Sequence, residues 1–117
     1  MKHSLAASLL ALAAVASHAQ SLGPDFAADY AAFNLGSVPG LPTNYGGLTF
    51  IGNNTLLIGG AANTASGSLY TIGVARGEDG AITGFVGTAE RFGGPGGAVG
   101  EYNDGGVVFG PNGVLFT

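Results

Sequence analysis

Cysteine and tryptophan do not occur in this 117-residue chain, and methionine occurs once, at Met1. Without cysteine there is no disulfide framework and no thiolate-ligated zinc or iron–sulfur site. Charge is scarce as well, at 9% of residues, with 3 Lys and Arg against 7 Asp and Glu. That balance provides no basic surface for a nucleic acid. What the chain has in abundance is glycine, 23 residues, within a composition that is 46% apolar. So much glycine disfavours any long helix. The length bounds the chain to one small domain of roughly 100 residues.

The first 19 residues, MKHSLAASLLALAAVASHA, follow a tripartite export pattern. Lys2 and His3 open it, an apolar run from Leu5 to Ala16 follows, and Ser17-His18-Ala19 supplies small residues at the −3 and −1 positions. Cleavage is therefore expected between Ala19 and Gln20, and the apolar run is shorter than the ~20 residues a membrane span needs. Export places the expected location in the periplasm, at the cell surface or outside the cell, with no membrane span in the mature segment.

Cleavage would also remove Lys2, His3 and His18, leaving a mature chain without Lys, His, Cys or Met. Its only cations are Arg76 and Arg91, against Asp25, Asp29, Glu78, Asp79, Glu90, Glu101 and Asp104, a net charge of 2 − 7 = −5. A Ser-His-Asp triad, a Cys-His pair, a lysine Schiff base and a histidine zinc site are all excluded within these residues. Two arginines cannot neutralise a polyanion, which excludes nucleic acid again. No catalytic residue and no cofactor is assigned.

Along the mature chain the pattern is that of strands. Phe26, Tyr30 and Phe33 fall at helical spacing behind Asp25, yet residues 31–35 suit a short strand equally well. Residues 36–42, with two Pro and two Gly, form a loop. Strands are expected over 47–51, 55–59, 67–76, 81–88, 106–109 and 114–117. Gly52-Asn53-Asn54 and Gly77-Glu78-Asp79-Gly80 read as hairpin turns, the second ending in an Asp-Gly that supplies positive φ. The first two strands are almost uniformly apolar (Leu48, Phe50, Ile51; Leu56, Leu57, Ile58) and should be buried, while the third and fourth alternate with Ser, Thr and Gly.

Residues 44–58 align without gaps on residues 103–117, an offset of 59, with six of 15 pairs identical: Asn44/Asn103, Gly46/Gly105, Gly47/Gly106, Phe50/Phe109, Asn53/Asn112 and Leu56/Leu115. Two further strands lie between the copies. A four-stranded antiparallel unit recurring in tandem is the sequence signature of a β-propeller blade, with a sandwich or solenoid as the other β arrangements open. The paired glycines before each inner strand would let backbones approach where a Cβ would collide. The fold class expected is thus all-β, in antiparallel four-stranded blade-like repeats. Its divisions are 1–19 (signal peptide), 20–43 (lead-in segment and loop), 44–102 (first repeat) and 103–117 (start of a second). On this reading the 117 residues hold one blade and the opening of another, and the isolated mature piece should fold poorly or aggregate.

SVPGLPTNYGGLTFIGNNTLLIGG (37–60) and YNDGGVVFGPNGVLF (102–116), together with the export segment, resemble the secreted propeller-type proteins of Gram-negative bacteria that carry a PEP-CTERM sorting tail. The Pro-Glu-Pro signature, apolar helix and basic cluster of that tail do not occur in these residues. The resemblance implies association with the cell envelope and exopolysaccharide, and it carries over no catalytic residue. The function expected is a non-catalytic binding or structural role, with extracellular polysaccharide or envelope components as partners. The alternative is part of a propeller enzyme, of lactonase or sugar oxidoreductase type, with catalytic groups beyond Thr117.

Candidate sites are few. Glu101-Tyr102-Asn103-Asp104 precedes an inner strand, where Glu101, Asn103 and Asp104 are the oxygen donors that a Ca²⁺ site could use. Tyr102, Asn103 and Asp104 are the residues expected to face a sugar or other small ligand. The run does not match a calcium loop, and Asp-Gly-Gly is common in turns. The glycine-rich stretch 93–100 lacks both the dinucleotide fingerprint and the P-loop Gly-Lys-Ser/Thr, which leaves a connecting loop. Glu78-Asp79 belongs to a hairpin tip, and Asn53-Asn54-Thr55, though a glycosylation sequon, falls in a turn.

Overall fold

Alternation of apolar residues with Ser, Thr and Gly becomes an antiparallel meander in the computed structural model, which describes residues 21–94 and 100–117. Four strands, β1 (Leu48–Gly52), β2 (Thr55–Gly60), β3 (Ser68–Arg76) and β4 (Ile82–Arg91), pair in chain order into one sheet. A second sheet of two strands joins β5 (Val108–Phe109) to β6 (Leu115–Phe116) around a 3-10 turn at Pro111–Gly113. The fold of the described residues is all-β and antiparallel. The export segment lies outside them, and among them no helix is long and apolar enough to cross a membrane.

The chain divides into two units, 1–34 and 35–117. Within the first, the described residues form turns rather than the helix or strand that their sequence left open. The Phe26 and Tyr30 N–H groups donate to Gly23 and Phe26 carbonyls at 3.0 Å, and the two rings meet edge-on at 6.2 Å. All remaining structure belongs to the second unit.

Period-two geometry gives the four-stranded sheet two different apolar faces. Leu56 and Ile58 of β2 share one face with Ile72 and Val74 of β3. That face is closed by Val38 and Leu41, which the composition of 36–42 marked only as loop. Leu57 and Leu69 point the other way and are fully buried beneath Val107, with Phe92, Phe109 and Leu115 around them. Burying each such leucine contributes about 1.5–3 kcal/mol.

Glycine and bulges shape the edge strand β4. Thr71 pairs with Glu90 and Gly73 with Val86, so β4 carries two more residues than β3 between these pairs, with Gly87 at φ +78. An extra residue leaves backbone groups unpaired in the ladder. Here the Ala89 N–H donates instead to the Pro39 carbonyl at 2.8 Å, docking the loop onto the sheet. A Cβ at Gly40 would collide with the Thr88 methyl, so this approach requires glycine. At the β3–β4 turn, Gly80 takes φ +80 and the Ala81 N–H donates to Asp79 Oδ1 at 3.0 Å, as the Asp-Gly pair predicts.

The two hairpins have the same strand register. Thr49 pairs with Leu57 and Phe50 with Leu56; adding 59 to each gives the observed pairs Val108–Phe116 and Phe109–Leu115. Their turns differ because Pro111 stands where the first copy has Gly52. Proline has no N–H to donate to a ladder. The first copy pairs Gly52 with Thr55, whereas the second opens into the 3-10 turn, with Asn112 at φ +60 and Gly113 at φ +73.

Burial of the apolar strands departs from expectation in β1. Leu48, Phe50 and Ile51 are exposed, while β2 and β3 carry the core. The reason is position: β1 is an edge strand, and the Val38–Leu41 cover reaches β2 and β3 but leaves Leu48 and Phe50 open.

Candidate functional site

The segment 100–104 is built by contacts with the loop that joins β2 to β3. The Tyr102 N–H donates to the Thr64 carbonyl at 3.0 Å, and the Asn103 N–H to the Gly100 carbonyl at 3.2 Å. The Asp104 N–H closes a tight turn onto the Tyr102 carbonyl at 2.9 Å. Thr64 is itself held by its hydroxyl donating to the Ala61 carbonyl at 2.6 Å. The result places Tyr102 at φ +56, a left-handed conformation that few bulky residues adopt.

The four sequence candidates separate in this turn. Tyr102 is 58% exposed, and Glu101 and Asp104 are also on the surface. Asn103 is 5% exposed, its side chain wedged against Gly46, Gly59 and Gly100. A Cβ at Gly59 would come within 2.8 Å of Asn103 Oδ1, and one at Gly100 within 2.6 Å of Nδ2. Among the described residues, neither polar atom of that amide has a hydrogen-bond partner. Tyr102 and Asp104 thus form the outward pair, and Asn103 packs the segment onto the first copy of the motif. Among the described residues no three acidic or His side chains converge as a metal site. The glycine-rich stretch falls partly outside the described residues, at 95–99.

Arg76 and Arg91, the two arginines of the sequence, both bond within the protein. Arg76 donates to the Asn53 carbonyl at 3.0 Å, to Asn54 Oδ1 at 3.2 Å and to the Gly80 carbonyl at 2.8 Å, tying together two hairpin tips. Its guanidinium also lies 5.3 Å from the centre of the Phe50 ring. Arg91 Nε donates to Ser68 Oγ at 2.8 Å. Both arginines nonetheless remain exposed at the surface.

A feature that sequence reasoning missed is an open cleft of about 270 Å³ across β2, β3 and β4, lined by Thr55, Thr71, Thr88 and Glu90 with Gly73 and Val86. The signal was available in the threonines that share one strand face. The β4 bulge that brings Thr88 to the cleft was not. No protein-family model matches this chain, and neither a curated protein nor a solved structure is significantly similar to it.

Proposed function

We propose that this chain is an exported, non-catalytic protein of the propeller type, built from four-stranded units recurring every 59 residues, that binds neutral extracellular polysaccharide or envelope glycans. The observation that supports the architecture is the shared register of the two hairpins, Phe50–Leu56 and Phe109–Leu115. Agreement in sequence alone could arise from glycine richness; agreement in pairing at the same offset is a stronger constraint. The mature inventory, without His, Lys or Cys, favours binding over catalysis.

For the ligand, Tyr102 offers an exposed ring and Asp104 a nearby carboxylate, the combination that stacks on a sugar face and accepts its hydroxyl hydrogen bonds. Left-handed backbone at a bulky residue costs about 1–3 kcal/mol and is concentrated at ligand-binding positions. The net charge of −5 expected for the mature segment, with only two arginines in it, favours a neutral glycan over an anionic one. Two measurements test the proposal. Secretion should yield a mature N-terminus at Gln20, read by mass spectrometry. Titration with a neutral exopolysaccharide should perturb Tyr102 resonances, and Tyr102→Ala should weaken binding by about tenfold. Retention of full binding in Tyr102→Ala and Asp104→Asn, or no glycan binding by the secreted protein, would overturn it.

A further inference from the structure

One face of the first hairpin recurs in the second with a different cover. Leu48 pairs with Ile58 and Phe50 with Leu56, so these four side chains share the face that carries Val38 and Leu41 over Leu56 and Ile58. Adding 59 to Leu48, Phe50 and Leu56 gives Val107, Phe109 and Leu115. In the second hairpin that face packs on Leu57 and Leu69 of the four-stranded sheet.

Val38 and Leu41 therefore stand to the first copy as Leu57 and Leu69 stand to the second. Each pair sets two buried apolar side chains against the same face of the repeat. The sequence carries the contrast as well. At the offset of 59, the positions of Val38 and Leu41 fall on Gly97 and Gly100, which have no side chain to supply. The second copy is seated on the first, and its face is filled without them.

The loop that supplies Val38 and Leu41 contributes no residue to the strand ladder. It is fastened by the Ala89 N–H donating to the Pro39 carbonyl at 2.8 Å and by the Val38 N–H donating to Tyr45 Oη at 3.0 Å. Its outer surface shows Ser37, Pro39 and Gly40 in place of an apolar face.

We propose that Val38–Leu41 is a cap: it fills, on the first unit, the place that the first unit fills for the second, and it lifts from the sheet without unfolding it. Lifting bares the face at Leu56, Ile58, Ile72 and Val74, which a terminal repeat must keep covered to stay soluble. Two side chains and two hydrogen bonds hold the loop, far fewer contacts than hold β2 and β3, so its opening lies below global unfolding. The inference rests on the 59-residue repeat of the proposed architecture and on neither export nor glycan binding.

Native-state hydrogen exchange of the unsubstituted protein, over a low-denaturant series, is the first test. The Ala89 amide should exchange at least about tenfold faster than the paired amides of β2 and β3, by an opening that denaturant scarcely promotes. The second test compares Gly40→Val with Gly36→Val. Both glycines have φ +73, but a Cβ at Gly40 meets the Thr88 methyl while one at Gly36 meets open space. Gly40→Val should speed Ala89 exchange by about a further tenfold and bind an apolar dye such as anilinonaphthalene sulfonate, with β2 and β3 still protected. Gly36→Val should do neither. Ala89 exchanging only together with β2 and β3, or equal effects of the two valines, would overturn the cap. Coupling between Leu57 and Val107 reads the repeat separately: a cap that fails with that coupling intact fails alone, and loss of the coupling would overturn both.

Discussion

Residues 44–58 and 103–117 share six of 15 residues and their strand register, yet Leu57 is buried where its counterpart Phe116 is exposed, and Val107 is buried where its counterpart Leu48 is exposed. The difference teaches that burial here is set by what stands next to a hairpin. Leu57 is inside because the second hairpin lies over it; Phe116, paired in the same way, has no such cover among the described residues. Propensity and periodicity define the strand and its faces, and packing decides which face becomes core.

The largest effect that breaks the comparison should come from truncating the buried member of a pair. Leu57→Ala should cost about 2–5 kcal/mol in denaturant melts, the usual range for a fully buried leucine. Phe116→Ala should stay within about 0.5 kcal/mol, as for an exposed substitution in the isolated chain. Equal losses would mean that the two positions are equally packed. Next come the glycines. Gly47→Ala should cost about 1–3 kcal/mol, because the new Cβ meets the Gly105 carbonyl and backbone must shift. Gly106→Ala should be neutral or slightly stabilising, by no more than about 1 kcal/mol, through reduced freedom of the unfolded chain.

A smaller loss than either buried site should come from Arg76→Ala, about 1 kcal/mol by thermal melt, from exposed bonds to Asn53, Asn54 and Gly80 and the contact with Phe50. Arg76 reaches the Asn53–Asn54 turn from β3, so the result measures how far that turn depends on a partner outside its own hairpin. Arg76→Lys should recover little, because lysine lacks the planar fork that reaches both turns.

Much of this was legible in the sequence for a physical reason. Strand signals at 55–59 and 67–76 fall within a residue of β2 and β3, since alternation directly encodes two faces. Asp79-Gly80 announced its turn because glycine readily takes positive φ. Other features depend on distant contacts and left no local trace. Val38 and Leu41 enter the core from a segment whose composition says only loop, through a carbonyl offered to a bulge about 50 residues away in sequence. β4 runs to Arg91, three residues beyond the expected 88, because that bulge resets its register. At the candidate site, Tyr102 and Asp104 stand on the surface as a turn segment would. Asn103 does not, because the glycines that receive its side chain, Gly46 and Gly59, are over 40 residues away and mark no pocket locally.

The most direct measurement is a double-mutant cycle between Leu57 and Val107, using the two single alanine variants and the double variant in equilibrium unfolding. If the second hairpin closes the core of the first, the two positions share a packed contact and should couple by about 0.5–3 kcal/mol. Losses that add to within about 0.3 kcal/mol would show that the hairpins do not pack against each other in solution, and would contradict the account.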